Sequence, residues 1–216
     1  EWLAKQTSVV LILLSRRAFP TSDKWRDVII ENNDQITLSI VYRLQKIRDI
    51  GSEVYVYCSD VSHYKQLSDT FTEVRTKFPQ INGIIHAAGS SASKCLHEDN
   101  SKAFSNVSNP KIAGSINLHR VTQTDQLDFM WFCSALSAIA GDYGQAAYSS
   151  ANAFLDAFAY WRTQNHGLTL SINWDTWLEG GMAENIVNYT KLTSGIHNRD
   201  LKTLAPQLLS YNGSQI

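Results

Sequence analysis

Tyr148 and Asn152 stand four residues apart near the start of a segment with helical periodicity, so their side chains share one face. Upstream, Trp131-Phe132-Cys133-Ser134-Ala135 closes an apolar run, and Gly141-Asp142-Tyr143-Gly144-Gln145 makes a loop into that helix. In a doubly wound α/β sheet, ligands sit beyond the carboxyl ends of the strands. A tyrosine placed there can give a proton to a carbonyl oxygen if its pKa falls from about 10 towards neutrality, and a nearby lysine ammonium is the usual means of lowering it. A second reading stands beside this one: Tyr148 as an ordinary amphipathic-helix residue with its hydroxyl in water.

The elements that must hold these residues are legible as an alternation. Short continuous apolar runs at 8–14, 53–58, 81–88, 129–133 and 168–172 suit strands buried on both faces of a parallel sheet. Between them lie helical stripes: Ile36, Ile40, Leu44 and Ile47; then Leu67, Phe71 and Val74; then Ala151, Leu155, Phe158 and Ala159. Residues 18–34 are polar and irregular, an entry loop with room for one helix. Strand–helix alternation predicts an α/β fold, a Rossmann-like doubly wound parallel sheet with helices on both faces.

Composition sets the bounds. The chain has 216 residues, 44% hydrophobic and 18% charged, within the range of a globular domain. A formal net charge of −1 supplies no field towards nucleic acid or an anionic membrane. No apolar run approaches the roughly 18 residues that span a bilayer. Cys58, Cys95 and Cys133 are an odd number without metal-ligand spacing. They read as incidental thiols in a reducing compartment, with cytoplasmic location as the default and no metal expected.

A dinucleotide fold also needs a first strand and a Gly-rich turn that sets phosphates at a helix N-terminus. No G-x-G-x-x-G occurs in the chain. Both ends read as cut, so residues 1–216 are expected to be an incomplete copy of one domain, lacking that strand and turn.

Three longer stretches carry a family resemblance. Tyr148-Ser149-Ser150-Ala151-Asn152-Ala153-Phe154-Leu155-Asp156-Ala157 is very similar to the signature of ketoreductase domains in modular polyketide and hybrid polyketide–nonribosomal peptide synthases, within the short-chain dehydrogenase/reductase superfamily. Gly83-Ile84-Ile85-His86-Ala87-Ala88-Gly89 resembles the family's fourth strand, whose end packs against the nicotinamide riboside. Ser171-Ile172-Asn173-Trp174 through Glu179-Gly180-Gly181-Met182-Ala183 resembles the sixth strand and lid entry. Free-standing members of the superfamily usually place a lysine where this chain has Asn152. Synthase ketoreductases resemble Asn109-Pro110-Lys111 instead, taking the lysine from an earlier helix.

The resemblance implies a catalytic set of Tyr148, Lys111 and Asn152. Lys111 would lower the tyrosine's pKa, and Asn152 would hold a water or helix carbonyl in the proton relay. It implies NADPH as cofactor, bound at Ser15 and Arg16 after the second strand, at Asp60 and Val61 after the third, and at Ala87, Ala88 and Gly89. Arg16 would meet the 2′-phosphate. Asp60 reads equally as a helix N-cap. The implied partners are an acyl group on the phosphopantetheine arm of a carrier protein and neighbouring synthase domains.

One departure is marked. The family's serine thirteen residues before the tyrosine is Ala135 here. Ser134 is adjacent but faces the other side of the strand, and Ser137 lies in the turn beyond it. Losing one oxyanion donor typically costs about 10²–10³ in rate. Either Ser137 or a water substitutes, or the domain is slow, or it is a catalytically silent scaffold. The family's stereochemical markers are absent: Ser91-Ala92-Ser93 stands where one is expected and Ala140 where the other is. The run from Trp174 to Trp177 resembles mixed systems that reduce α-keto as well as β-keto groups.

Overall fold

The computed structural model describes residues 1–31, 34–90, 101–179 and 195–216. Ser91-Ala92-Ser93, Cys95 and Gly180-Gly181-Met182-Ala183, named above, lie outside them. The chain folds as two compact units, residues 1–60 and 61–216, each with its own parallel sheet.

In the first unit, β1 (Val10–Ser15) pairs in parallel with β2 (Glu53–Cys58), from Val10↔Glu53 to Ser15↔Cys58. The connection runs through α2 (Trp25–Glu31) and α3 (Gln35–Asp49), after a short helix α1 (Trp2–Gln6) at the start. Asp34 caps α3, its carboxylate accepting from the Ile36 and Thr37 amides. Ala4, Trp25, Val41, Leu44, Ile47 and Val54 form the core.

The buried stripe of α3 differs from the expected one. Leu44 and Ile47 are inside, but the other members are Leu38 and Val41, while Ile36 is 67% and Ile40 38% exposed. Both stripes have helical spacing. Contact with Trp25 and Val54 selects the one rotated towards Leu38.

The second unit carries a three-stranded parallel sheet in the order β3 (Gly83–His86), β4 (Phe129–Ala135), β5 (Thr169–Trp174). It begins with α4 (Tyr64–Lys77), whose stripe Leu67, Phe71 and Val74 is buried as expected. The crossovers are α5 (Ser101–Val121) and α7 (Ala146–His166), and a short α6 (Ser137–Ala140) follows β4. Alternation along β4 sorts its side chains. Met130 and Phe132 face α7 through Leu155 and Ala159, and Trp131 points to the opposite face. On that opposite face Leu170 and Ile172 of β5 pack with Leu208 of α8 (Leu201–Ser210). Helices therefore cover both faces of this sheet, as the apolar runs predicted.

Gly114 sets how closely α5 can approach. A Cβ there would lie 2.9 Å from Val61 Cγ2 and 3.1 Å from His86 Cε1. Only glycine lets the helix carrying Lys111 sit this near the end of β3. A bidentate pair from Arg75 of α4 to Asp125, with a further bond to the Val121 carbonyl at 2.6 Å, ties down the far end of α5. Among the described residues no helix is long and apolar enough to cross a membrane.

Two buried histidines make this unit acid-sensitive. Burial, with Lys111 adding to it, pushes His86 down to about 4. His119 is pushed down to about 4 by burial, then by Arg162 and His166, and its Nδ1 accepts from Arg162 Nε at 3.1 Å. Their neutral forms belong to the folded state, so this stability is complete above about pH 6.5 and drains away as pH falls towards 4. For His86 alone the difference is worth about 3 kcal/mol. The urea midpoint should fall steeply between pH 6.5 and 4. His119→Gln, which keeps an acceptor for Arg162 but cannot titrate, should flatten the fall; an unchanged slope would remove His119 from this account.

Candidate active site

Helix α5 delivers the lysine. Pro110 lies inside α5 and has no N–H, so the Asn106 carbonyl loses its partner one turn earlier. The Ser90 hydroxyl, just past the end of β3, donates to that carbonyl at 2.9 Å. The next residue, Lys111, is 2% exposed. Its Nζ donates to the Cys133 carbonyl of β4 at 2.8 Å and lies 5.4 Å from the centre of the Tyr148 ring. Burial pushes the ammonium down to about 8, with Cys133 and Asp156 pulling the other way.

Helix α7 delivers the tyrosine and the asparagine. Its first turn begins at Ala146, so Tyr148 sits at the helix entrance, half-buried. Asn152 is fully buried; its Nδ2 donates to the Tyr148 carbonyl at 3.0 Å. Its Oδ1 is buried with no partner among the described residues, an acceptor facing inward. Burial holds the Tyr148 phenol above its ordinary value, and a hydrogen bond from Asn152 opposes this. The phenol thus stands above its ordinary value, against the expectation that it falls towards neutrality.

Lys111 and Tyr148 line one cleft of about 740 Å³ in the second unit, a volume suited to a small organic ligand, and Asn152 is buried behind Tyr148 on α7. Ala87 and Gly89 from the turn after β3, Cys133, Ala135 and Ser137 share its wall. Ala88 lies in the same turn and Val61 is buried against α5, its carbonyl accepting from Asn117 Nδ2 at 2.9 Å. Ser15, Arg16 and Asp60 belong to the first unit, at the ends of β1 and β2. There the Ser59 amide donates to the Ser15 carbonyl at 2.8 Å, and the Arg16 side chain is exposed. Asp60 is not the N-cap it was allowed to be: His63 holds that position for α4.

The three serine positions resolve into distinct environments. Ala135 faces the cleft with only a methyl group. Ser134 also borders the cleft, but it is buried and its hydroxyl donates to the Asn152 carbonyl at 3.3 Å, turned to α7. Ser137 lines the cleft, its Oγ buried without a hydrogen-bond partner among the described residues.

Sequence reasoning missed Asp156. Its signal was present, since the four-residue step from Tyr148 to Asn152 reaches Asp156 next. The carboxylate accepts from Ser171 at 2.5 Å, Asn173 at 2.9 Å and Gln215 at 3.1 Å.

Comparison with known proteins places this arrangement. Residues 1–179 match the model of the KR domain family. The chain is 34% identical over 161 residues to polyketide synthase PksN of Bacillus subtilis, which covers 71% of this chain and 3% of that protein. It is 31% identical over 189 residues to a 6-methylsalicylic acid synthase of Arthrobotrys oligospora, covering 85% of this chain and 10% of that protein. Among solved structures, a ketoreductase domain from the bacillaene assembly line matches at a TM-score of 0.78 and 29% identity, over 99% of this chain and 51% of that one. An N-terminal ketoreductase from the macrolactin assembly line matches at 0.78 and 27%, over 99% of this chain and 40% of that one.

Proposed function

The chain belongs to the KR domain family, and from that premise we propose that it reduces a keto-acyl thioester to the hydroxy-acyl thioester with NADPH, inside a cytoplasmic polyketide or hybrid synthase. The substrate would be carried on the phosphopantetheine arm of a carrier protein. The observation that carries the reading is the convergence of Lys111 and Tyr148 on one cleft, a buried ammonium beside the phenol, with Asn152 bonded to the Tyr148 carbonyl.

The roles follow from chemistry at named atoms. The Tyr148 hydroxyl donates the proton to the substrate's carbonyl oxygen, and the Lys111 ammonium favours the phenolate left behind. The inward Asn152 Oδ1 can hold a water that returns the proton. NADPH, when bound, supplies the hydride. The small side chains of Ala87, Ala88 and Gly89 leave room for a flat ring beside Lys111, and Asp60 and Val61 follow β2 where an adenine edge would be read. Ser15 and the exposed Arg16 guanidinium suit a 2′-phosphate better than a carboxylate would. The test is NADPH consumption with a keto-acyl cysteamine thioester by the full-length polypeptide. NADPH should bind far more tightly than NADH, by tenfold or more as expected for one charge-assisted contact. Arg16→Asp should erase that gap in calorimetry, and equal affinities in the parent would end the assignment of Arg16.

A second reading draws on Ala135: a folded, nucleotide-binding scaffold without turnover. Tight NADPH binding with no reduction by the parent would favour it.

A further inference from the structure

Asp156 has no place in the scheme above, although it stands one helical turn beyond Asn152 on α7. We propose that Asp156 is a positioning residue for the Lys111–Tyr148–Asn152 set, acting through Asn173 and Ser134 to lock the end of β4 against α7. This deepens the proposed reductase reading and rests on it.

The chain of bonds is continuous. Asp156 Oδ2 accepts from Asn173 Nδ2 at 2.9 Å and from Gln215 Nε2 at 3.1 Å. Gln215 Nε2 also donates to Asn173 Oδ1 at 3.0 Å, so the two partners together fix which way the Asn173 amide points. Nδ2 of Asn173 then donates to Ser134 Oγ at 3.2 Å and to the Ala135 carbonyl at 3.3 Å. With its lone pair engaged, the Ser134 hydroxyl turns its proton to the Asn152 carbonyl. Two successive residues of β4 are thereby held, Ser134 and Ala135 at the cleft wall, directly after Cys133, whose carbonyl takes the Lys111 ammonium. Ser171 Oγ occupies the other oxygen, Oδ1, at 2.5 Å, so the carboxylate is anchored from β5 at both oxygens.

A neutral side chain of the same shape breaks the chain at its first link, because an amide has only one acceptor oxygen for the donors that converge there. Ser134 and Asn173 are both buried, so the loosened groups cannot turn to bulk water instead. Charge adds a separate effect. The titratable groups facing Lys111 are His86 on β3, Cys133 on β4, and Tyr148 and Asp156 on α7. Among them Asp156 is the carboxylate, and it favours the charged lysine. Removing it should let Lys111 lose its proton at lower pH.

Asp156→Asn in the full-length polypeptide should lower kcat roughly tenfold, in line with a small misplacement of reacting groups, with the KM for NADPH within about twofold. The alkaline limb of the kcat profile should move to lower pH. Ser134→Ala should lower kcat similarly but leave that limb in place, and the double variant should be no slower than Asp156→Asn alone. Full kcat with an unmoved alkaline limb in Asp156→Asn would overturn the proposal, as would losses that multiply in the double variant. Should Asp156→Asn fail to fold, an undiminished kcat in Ser134→Ala overturns it equally. The pH dependence of Lys111 acylation, read by mass spectrometry, follows the charge effect without needing turnover. A parent that binds NADPH but reduces no ketone strikes the reductase reading instead, while the acylation shift still decides the role of Asp156.

Discussion

Ala135→Ser should raise ketone reduction by roughly one to three orders of magnitude, the size expected for one donor to a developing oxyanion. Ala135 lines the cleft with a methyl group, so the substrate oxygen meets Tyr148 without a second hydroxyl from the strand. A serine there restores that donor on the correct face, whereas Ser134 is turned to the Asn152 carbonyl and cannot. The new hydroxyl adds one small atom at a wall already open to the cleft, so packing strain is slight. NADPH affinity should hardly change. Tyr148→Phe should abolish reduction in both backgrounds, since it removes the proton donor. The competing outcome is specific. Ser137 has a buried Oγ without a partner among the described residues and shares the cleft wall. If the parent is already fast and the serine variant no faster, Ser137→Ala should be the slow one, and the strand position is then irrelevant.

Lys111→Met should reduce turnover at least a hundredfold without weakening the fold. Burial pushes the lysine down to about 8 from 10.5, a penalty on the charged form of about 3 kcal/mol. Against this stands the bond to the Cys133 carbonyl, about 1–3 kcal/mol for a charged donor. The two nearly cancel, so methionine should leave stability unchanged or raise it by about 1 kcal/mol. The sign of the pH dependence is diagnostic. A folded-state value below the unfolded one means the unfolded chain holds more protons between about pH 8 and 10.5. Parent stability should therefore climb across that window, and the lysine's share of the climb should vanish in Lys111→Met. A loss of several kcal/mol in the methionine variant would show Lys111 to be a structural anchor.

The strands were legible because parallel strands read as unbroken aliphatic runs, and all five runs became β1 to β5, although Val10 and Leu13 of β1 and Ile85 of β3 are exposed where burial on both faces was expected. Four-residue spacing put Tyr148 and Asn152 on one helix face, whereas Lys111 came only from the resemblance of Asn109-Pro110-Lys111 to synthase ketoreductases; the structure brings Lys111 beside the Tyr148 ring. The α3 stripe was not legible. Ile36 and Ile40 are as apolar as Leu38 and Val41, and only contact with Trp25 and Val54, distant in sequence, chose between them. The Asp156 network escaped for the same reason. Its partners Ser134, Ser171, Asn173 and Gln215 come from two strands and the segment after α8, and polar residues so separated carry no periodic signal.

Pro110 has a consequence for how α5 comes apart. A helix missing one rung of its ladder does not unzip as a single rod, and the break here falls immediately before Lys111. The stretch from Ser101 to Asn109 is tied to the turn after β3 by the Ser90 hydroxyl, which donates to the Asn106 carbonyl. The stretch from Lys111 onward is clamped by Asn117 to Val61 and by Arg75 near Val121. Amide exchange should therefore step abruptly at the proline, fast before it and slow after. Exchange equally slow on both sides of the proline would show α5 to open as one unit, with the lysine's anchorage tied to that of the whole helix.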